Sequence, residues 1–455
     1  MSFGKVSCGS FKTGLRSVCS VLGLSVVLAG CGSVSEFSES INPFAKEKIL
    51  PGERRPVFDG ADPAAAVEGK AASIGKASGG QEWPSAGGGL TNDPGNVAVS
   101  ISGNRAWRAQ IGASGGSLTA DALRASARPV SAAGRVFVYK PNGDVIALST
   151  GGARLWTRSL RPEGEKDVAP GGGVAISGNV VYAATGYRSL SALDASSGQV
   201  LWTAELATPA RGAPVAGNGL VVVVSQSNEV YAINQSDGTE AWNYIGIEET
   251  AGVLSSASPA ISGNRVIVPF SSGEIMALDI KTGEPDWIDG VARGFRTLAV
   301  SGLSDVSASP IVSGNTVFAT GVAGRIIASS VKSGERVWEQ DLGSVHTPVV
   351  SGNALFMVDL DDRMVALDRK SGETLWATSL PRPEKKKKRR NWAGPVLANG
   401  ALVAVSSDGR MAMVDATSGK IMATYDVKTK VYVTPIIAGG RMIVLDGDDA
   451  VAAFN

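Results

Sequence analysis

Cysteine is nearly missing from this chain: three in 455 residues, at positions 8, 19 and 31, and histidine is rarer still, with His346 alone. Cys8 and Cys19 fall in a stretch that reads as a secretory signal. Lys5, Lys12 and Arg16 come without any acidic residue, and an apolar run follows from Val18 to Ala29. That run is too short to span a bilayer, and no later one approaches the ~20 residues a spanning helix needs. Once the signal is removed, no pair of cysteines remains, so the folded body has to cohere without disulfides even in a compartment that permits them. A single imidazole without thiol or carboxylate companions at ligand spacing builds no metal site. As a general base it would need a nucleophile beside it, so the expectation for His346 is structural, with no catalytic residue and no metal. An excess of one charge is lacking too. Lys and Arg number 43 against 42 Asp and Glu, and loss of residues 1 to 30 takes Lys5, Lys12 and Arg16 away, moving the formal balance from +1 to −2. That balance argues against a nucleic-acid partner.

What is present begins with Leu28-Ala29-Gly30-Cys31, small residues ending in Cys directly after the apolar run. This is the pattern of a lipoprotein cleavage site, so Cys31 is the expected lipid attachment point and residues 1–30 the signal peptide. Several acyl chains on one residue anchor a soluble body, each buried methylene contributing about 0.8 kcal/mol. From Gly32 to about Asn96 the chain is rich in Ser, Ala, Gly, Glu and Pro with little apolar periodicity. Such composition predicts an extended or mobile tether over residues 31–97.

The remainder repeats. Ala-Leu-Asp, then a turn ending in Ser/Thr-Gly, then Trp eight residues after the Asp, recurs at Asp194/Trp202, Asp279/Trp287 and Asp368/Trp376. The spacing persists at Asn234/Trp242 and Ser330/Trp338, runs one residue shorter at Ser149/Trp156, and loses its Trp at Asp415/Ala423. An Asp or Asn at the end of an apolar strand accepts backbone N–H bonds across a tight turn, and Gly supplies the positive φ. Trp then offers a large apolar face to seal one sheet against the next, with its N–H free for a partner. Upstream of each turn lie a Pro, an apolar strand, a Gly-Asn-like turn and another apolar strand, as in Pro310 to Phe318; Pro129, Pro214, Pro259, Pro348, Pro395 and Pro435 are equivalent.

Four short strands every 38 to 51 residues, from Trp to Trp, is a propeller-blade period. The last repeat, from Thr434 to Asn455, stops where its turn Asp should be. Arg105 to Gln110 carries a Trp with no repeat body before it. That segment can supply the missing outer strand and close the ring, which removes the exposed sheet edge. The expectation is an all-β, eight-bladed propeller of four-stranded antiparallel blades over residues 98–455.

The motif Ala-x-Asp-x-x-Thr/Ser-Gly-x-x-x-Trp resembles the repeat of quinoprotein (PQQ-like) propellers. Quinoprotein dehydrogenases hold a quinone and calcium with acidic and amide ligands, and no such cluster stands outside the turns here, so no cofactor is expected. The lipobox together with eight such blades resembles the BamB family, lipoproteins of the machinery that folds β-barrels into the bacterial outer membrane. Ile49 to Val57 and Leu342-Gly343-Ser344-Val345 are similar to that family's sequences as well. The resemblance implies a non-enzymatic scaffold on the periplasmic face of the outer membrane. Its implied partners are the POTRA domains of BamA, other barrel-assembly lipoproteins and unfolded outer-membrane proteins. Gly32 in place of Asp after the lipidated Cys matches sorting to the outer membrane.

The family's BamA contacts come from two neighbouring interblade loops, one carrying Leu-Ser-Asp-Val. The match here is Leu303-Ser304-Asp305-Val306, with Ser307 where the family has a second Asp. In the other loop only Leu254 is carried over, and the family's Arg is missing. A Ser-Asp pair before a strand is equally a turn or cap satisfying backbone N–H groups. The run Lys385 to Arg390 is read as an exposed loop, either simply solvated or drawn to anionic lipid. Two other functional classes stand beside the scaffold: a periplasmic ligand- or polymer-binding propeller, and a PQQ-dependent dehydrogenase.

Overall fold

The computed structural model describes residues 62–65, 70–112, 127–248, 257–291, 306–382 and 390–455. These residues form thirty-two strands, arranged as eight four-stranded antiparallel sheets. Blade 1 spans residues 130–159, blade 2 172–205, blade 3 215–245, blade 4 260–290, blade 5 311–340, blade 6 349–379 and blade 7 392–426. Blade 8 joins residues 436–454 to the strand Arg105–Gln110, as the isolated Trp107 segment predicts. Among the described residues no helix is long and apolar enough to cross a membrane.

Burial follows position in the blade. First strands such as Val130–Ala132 are short and wholly buried. Second strands such as Leu220–Val224 are continuous apolar runs, because neighbouring blades cover both of their faces. Outer strands such as Val200–Glu205 keep alternate residues in solvent. The Trp of each outer strand donates its indole N–H to a carbonyl in the turn of the following blade. Trp107, Trp156, Trp202, Trp242, Trp287, Trp338 and Trp376 do so at 2.8 to 3.2 Å. The ring lies over the turn glycine of that blade. At Gly283, with φ +74°, an added Cβ would stand 2.5 Å from Trp242. At the one seam where the Trp is replaced by Ala423, Tyr425 lies over Gly103 instead.

Antiparallel order fixes two faces. The interblade connections and the turns between second and third strands share one, here the connection face. The Asp turns and the turns between first and second strands share the other, the turn face. Residues 70–97, assigned by composition to the tether, are extended but not free of the ring. Starting at blade 6, Ser73 exchanges hydrogen bonds with Asn353. The carbonyls of Gly80 and Gln81 then accept from Gly440 and Gly439 of blade 8. Trp83 bridges Ser131 of blade 1, Pro84 accepts from Ile176 of blade 2, and the Leu90 side chain lies over Gly217 of blade 3. Leu90 and Thr91 accept from Ile261 of blade 4 and Val312 of blade 5, and Val97 pairs with blade 7 at Leu397 and Asn399. This strap touches all eight first strands or the turns that follow them, occupying backbone groups that a first strand otherwise leaves unpaired on its channel side. Trp83, Val97, Val99 and Ile101 join the core between blades 7, 8 and 1.

Candidate functional site

Leu254 and Leu303, Ser304 and Asp305 lie outside the described residues, as does Cys31. Their flanks are described and share the connection face: Gly246 donates to Asn228 O, Val291 to Gly273 O and Val306 to Phe270 O. Val306 is fully buried in the core between blades 4 and 5. Its side chain therefore anchors the start of blade 5 and offers no apolar surface to a partner.

Two residues that the sequence reading passed over organise this region. The guanidinium of Arg211, buried on the connection into blade 3, donates through Nη1 to Pro269 O at 3.3 Å and through Nη2 to Val306 O at 2.9 Å. It thereby ties blade 3 to blades 4 and 5. Asn228, wholly buried with φ +62°, donates to Ile247 O at 2.6 Å and accepts from Ser271 N at 3.0 Å and Ser271 Oγ at 3.1 Å. The flanks of residues 249–256 and 292–305 thus rest on one hydrogen-bonded platform. The available signals were a lone Arg among small residues (Ala210-Arg211-Gly212-Ala213) and a Ser-Asn step suited to positive φ. Neither names its partner. Beside the platform stand apolar side chains in solvent: Ile245 is 72% exposed, Ile247 61% and Ile288 53%.

Of the basic run, only Arg390 is described. It is buried rather than solvated: it pairs with Asp408 at 2.7 Å, donates to Pro381 O at 2.7 Å and lies over the Trp392 ring. The turn acids are occupied within their own turns. Hydroxyl and backbone donors of Ser196 and Ser197 hold the Asp194 pKa down to about 2, and Asp279 and Asp415 are lowered in the same way. Among the described residues no group of three or more His, Cys, Asp or Glu is placed to hold a metal. A quinone and calcium site needs carboxylates in the central channel. Among the described residues, those at the starts of the blades include Arg128, His346 and Ser and Thr hydroxyls beside the strap, and these do not fit such a group.

The fold and this face can be set beside known proteins. A family model described as outer membrane protein assembly factor BamB matches residues 141–378 and 365–455. The chain is 25% identical over 335 residues to the outer membrane protein assembly factor BamB of Yersinia pestis, covering 72% of this chain and 84% of that protein. It is 28% identical over 329 residues to that of Salmonella typhimurium, covering 61% and 82%. The crystal structure of BamB from Moraxella catarrhalis superposes with a TM-score of 0.65 at 21% identity, over 77% of this chain and 99% of that one. A quinohemoprotein alcohol dehydrogenase from Comamonas testosteroni reaches a TM-score of 0.62 at 14% identity, over 82% and 80%, which shows a shared fold. Because the family model spans more than half of the sequence, the chain belongs to the outer membrane protein assembly factor BamB family.

Proposed function

We propose that this chain is a non-enzymatic lipoprotein scaffold of the outer-membrane barrel-assembly machinery, anchored through Cys31 and facing the periplasm. In this reading the connection face of blades 3 to 5 binds the POTRA domains of BamA, with Leu254 and Leu303, Ser304 and Asp305 at the contact. The observation that carries the proposal is the platform itself. Arg211 and Asn228 hold the flanks of both segments together beside exposed Ile245, Ile247 and Ile288. Fixed flanks leave less chain to be ordered on binding, which is how pre-organisation raises affinity. Exposed isoleucines around polar loops suit a protein partner.

Affinity purification from detergent-solubilised envelopes tests this, with the wild-type chain beside Asp305→Arg and mass spectrometry of what is recovered. The scaffold reading expects a POTRA-bearing barrel with wild type and its loss with a variant whose thermal unfolding is unchanged. Absence of any barrel from both samples sinks the proposal. A variant that loses the barrel only because it unfolds assigns Asp305 to the turn.

A further inference from the structure

The residue preceding each first strand's Pro position forms a ring around the channel at the connection face: Arg128, Gly173, Ala213, Ser258, Ser309, Thr347, Gly394 and Thr434. Seven of the eight are small or hydroxylic, and one is a guanidinium. Neighbours in the ring bond directly, Ser258 N to Ser309 Oγ at 2.9 Å and Ser309 N to Thr347 Oγ1 at 3.2 Å. Deeper in the channel the strap forms a floor. Asn92, fully buried, donates from Nδ2 to Pro310 O at 2.9 Å and Pro259 O at 3.2 Å, and Ala86 packs with Ala127 and Ala213. The channel is thus covered from the turn face, and Arg128 stands just above the cover, with Nη1 donating to Ala86 O at 3.2 Å.

Among the described residues Arg128 has no carboxylate against it. Burial pushes its pKa down to about 10. Beside it His346 is pushed down to about 4, by burial first and by the Arg128 charge second. His346 is therefore neutral at physiological pH, with Nδ1 in contact with Thr434 Oγ1 at 3.3 Å and a further bond to the Trp392 backbone. Arg128, Thr434 and the Trp392 backbone are thus the polar groups that act on its ring among the described residues. Both Arg128 and His346 nevertheless keep part of their surface in solvent. A guanidinium that reaches solvent beside a ring of hydroxyls, with only a backbone carbonyl as its described partner, favours negative charge.

We propose that this blind mouth of the channel is an oxyanion site, in which Arg128 takes a carboxylate or phosphate against a wall of Ser and Thr hydroxyls. The planar fork of Arg matches both anions bidentately. Two sources share that chemistry, a free small anion and the carboxylate at the end of a peptide chain.

The only histidine reports on the site. In the tag-free full chain carrying 13C-histidine, the His346 resonance is followed against inorganic phosphate, and against a short peptide with a free C-terminal carboxylate beside its amidated twin. The expected result is a saturable shift, with the His346 pKa raised by about 1 or more, as an opposite charge nearby produces. The response should vanish in R128Q. Saturation by phosphate assigns a free oxyanion, and saturation by the peptide acid but not the amide assigns a chain end; either supports the site. No saturation with any probe, or an equal response in folded R128Q, overturns it. Where R128Q fails to fold, R128K carries the test: the charge remains but the fork is lost, so saturation should need several-fold more anion, and unchanged saturation overturns the proposal.

Discussion

The turn of blade 4 is one continuous stretch from Asp279 to Gly283, whereas the turn of blade 8 is assembled from Asn455 and the distant Ser102-Gly103. They make the same ladder contact. Asp279 N donates to Glu284 O at 2.8 Å, and Asn455 N donates to Asn104 O at 3.0 Å. In each case the glycine lies under an aromatic ring of the preceding blade, Trp242 for Gly283 and Tyr425 for Gly103. They differ in what the side chain at the turn head does. Asp279 Oδ1 accepts from Lys281 N and Thr282 N within its own turn, while Asn455 Oδ1 accepts from Arg441 Nε at 2.9 Å, on the neighbouring strand. The geometry of the repeat therefore needs the residues in place, not a peptide bond between them. What the covalent turn supplies is a short loop, and closing a loop across the whole chain costs more entropy than closing five residues.

The comparison breaks most severely if the closing strand is removed. Deleting residues 103–110 exposes the edge of blade 8 and the buried Phe454, and we expect loss of the cooperative thermal transition with aggregation on size-exclusion chromatography. A deletion variant with the wild-type midpoint would show that the split blade does not close the ring. A smaller effect separates the two seams. Trp242→Ala should cost about 3–5 kcal/mol in denaturant unfolding, the range for truncating a buried aromatic. Tyr425→Ala should cost less, because part of its ring remains in solvent; equal costs would mean the closing seam is as tightly sealed as the regular ones. The smallest effect is in pH. The turn carboxylates have folded pKa values below their ordinary 3.8, Asp194 at about 2. They contribute stability above pH ~4, lost as pH falls towards 2. Blade 8 has Asn455 at that place, and its side-chain amide does not titrate in this range. Asp194→Asn should flatten the acid limb of the unfolding curve, and an unchanged limb would place the acid sensitivity elsewhere.

The propeller was legible because every element of a blade is written within about forty residues: the Pro, two apolar strands, the Asp turn and the Trp. Even the split blade announced itself, as a Trp without a body at one end and a body without a Trp at the other. The candidate site was legible only in part. Val306 stands in a recognisable Leu-Ser-Asp-Val stretch, yet it faces the core, and burial depends on Ala260, Trp287 and Val312 from other strands. Arg211 and Asn228 escaped notice because each acts on a carbonyl or amide far along the chain: Arg211 on Val306, Asn228 on Ser271. A backbone carbonyl carries no sequence signature.

The strap is the extreme case. Its stretch from Ser73 to Val99 has the composition of a linker and no period of its own, since its partners are spread over eight different blades, seven met by hydrogen bonds and blade 3 by the Leu90 side chain. Periodicity records a face repeatedly presented to one neighbour, and this segment meets a new neighbour every few residues. The residue order thus settles the blade and its turn chemistry, which rest on interactions between residues close along the chain, and the number of blades, which the repeat count and the isolated Trp107 segment announce. The covered channel, Arg128 above it and the platform under the connection face arise only once the ring has closed, because each joins groups that become neighbours through closure alone.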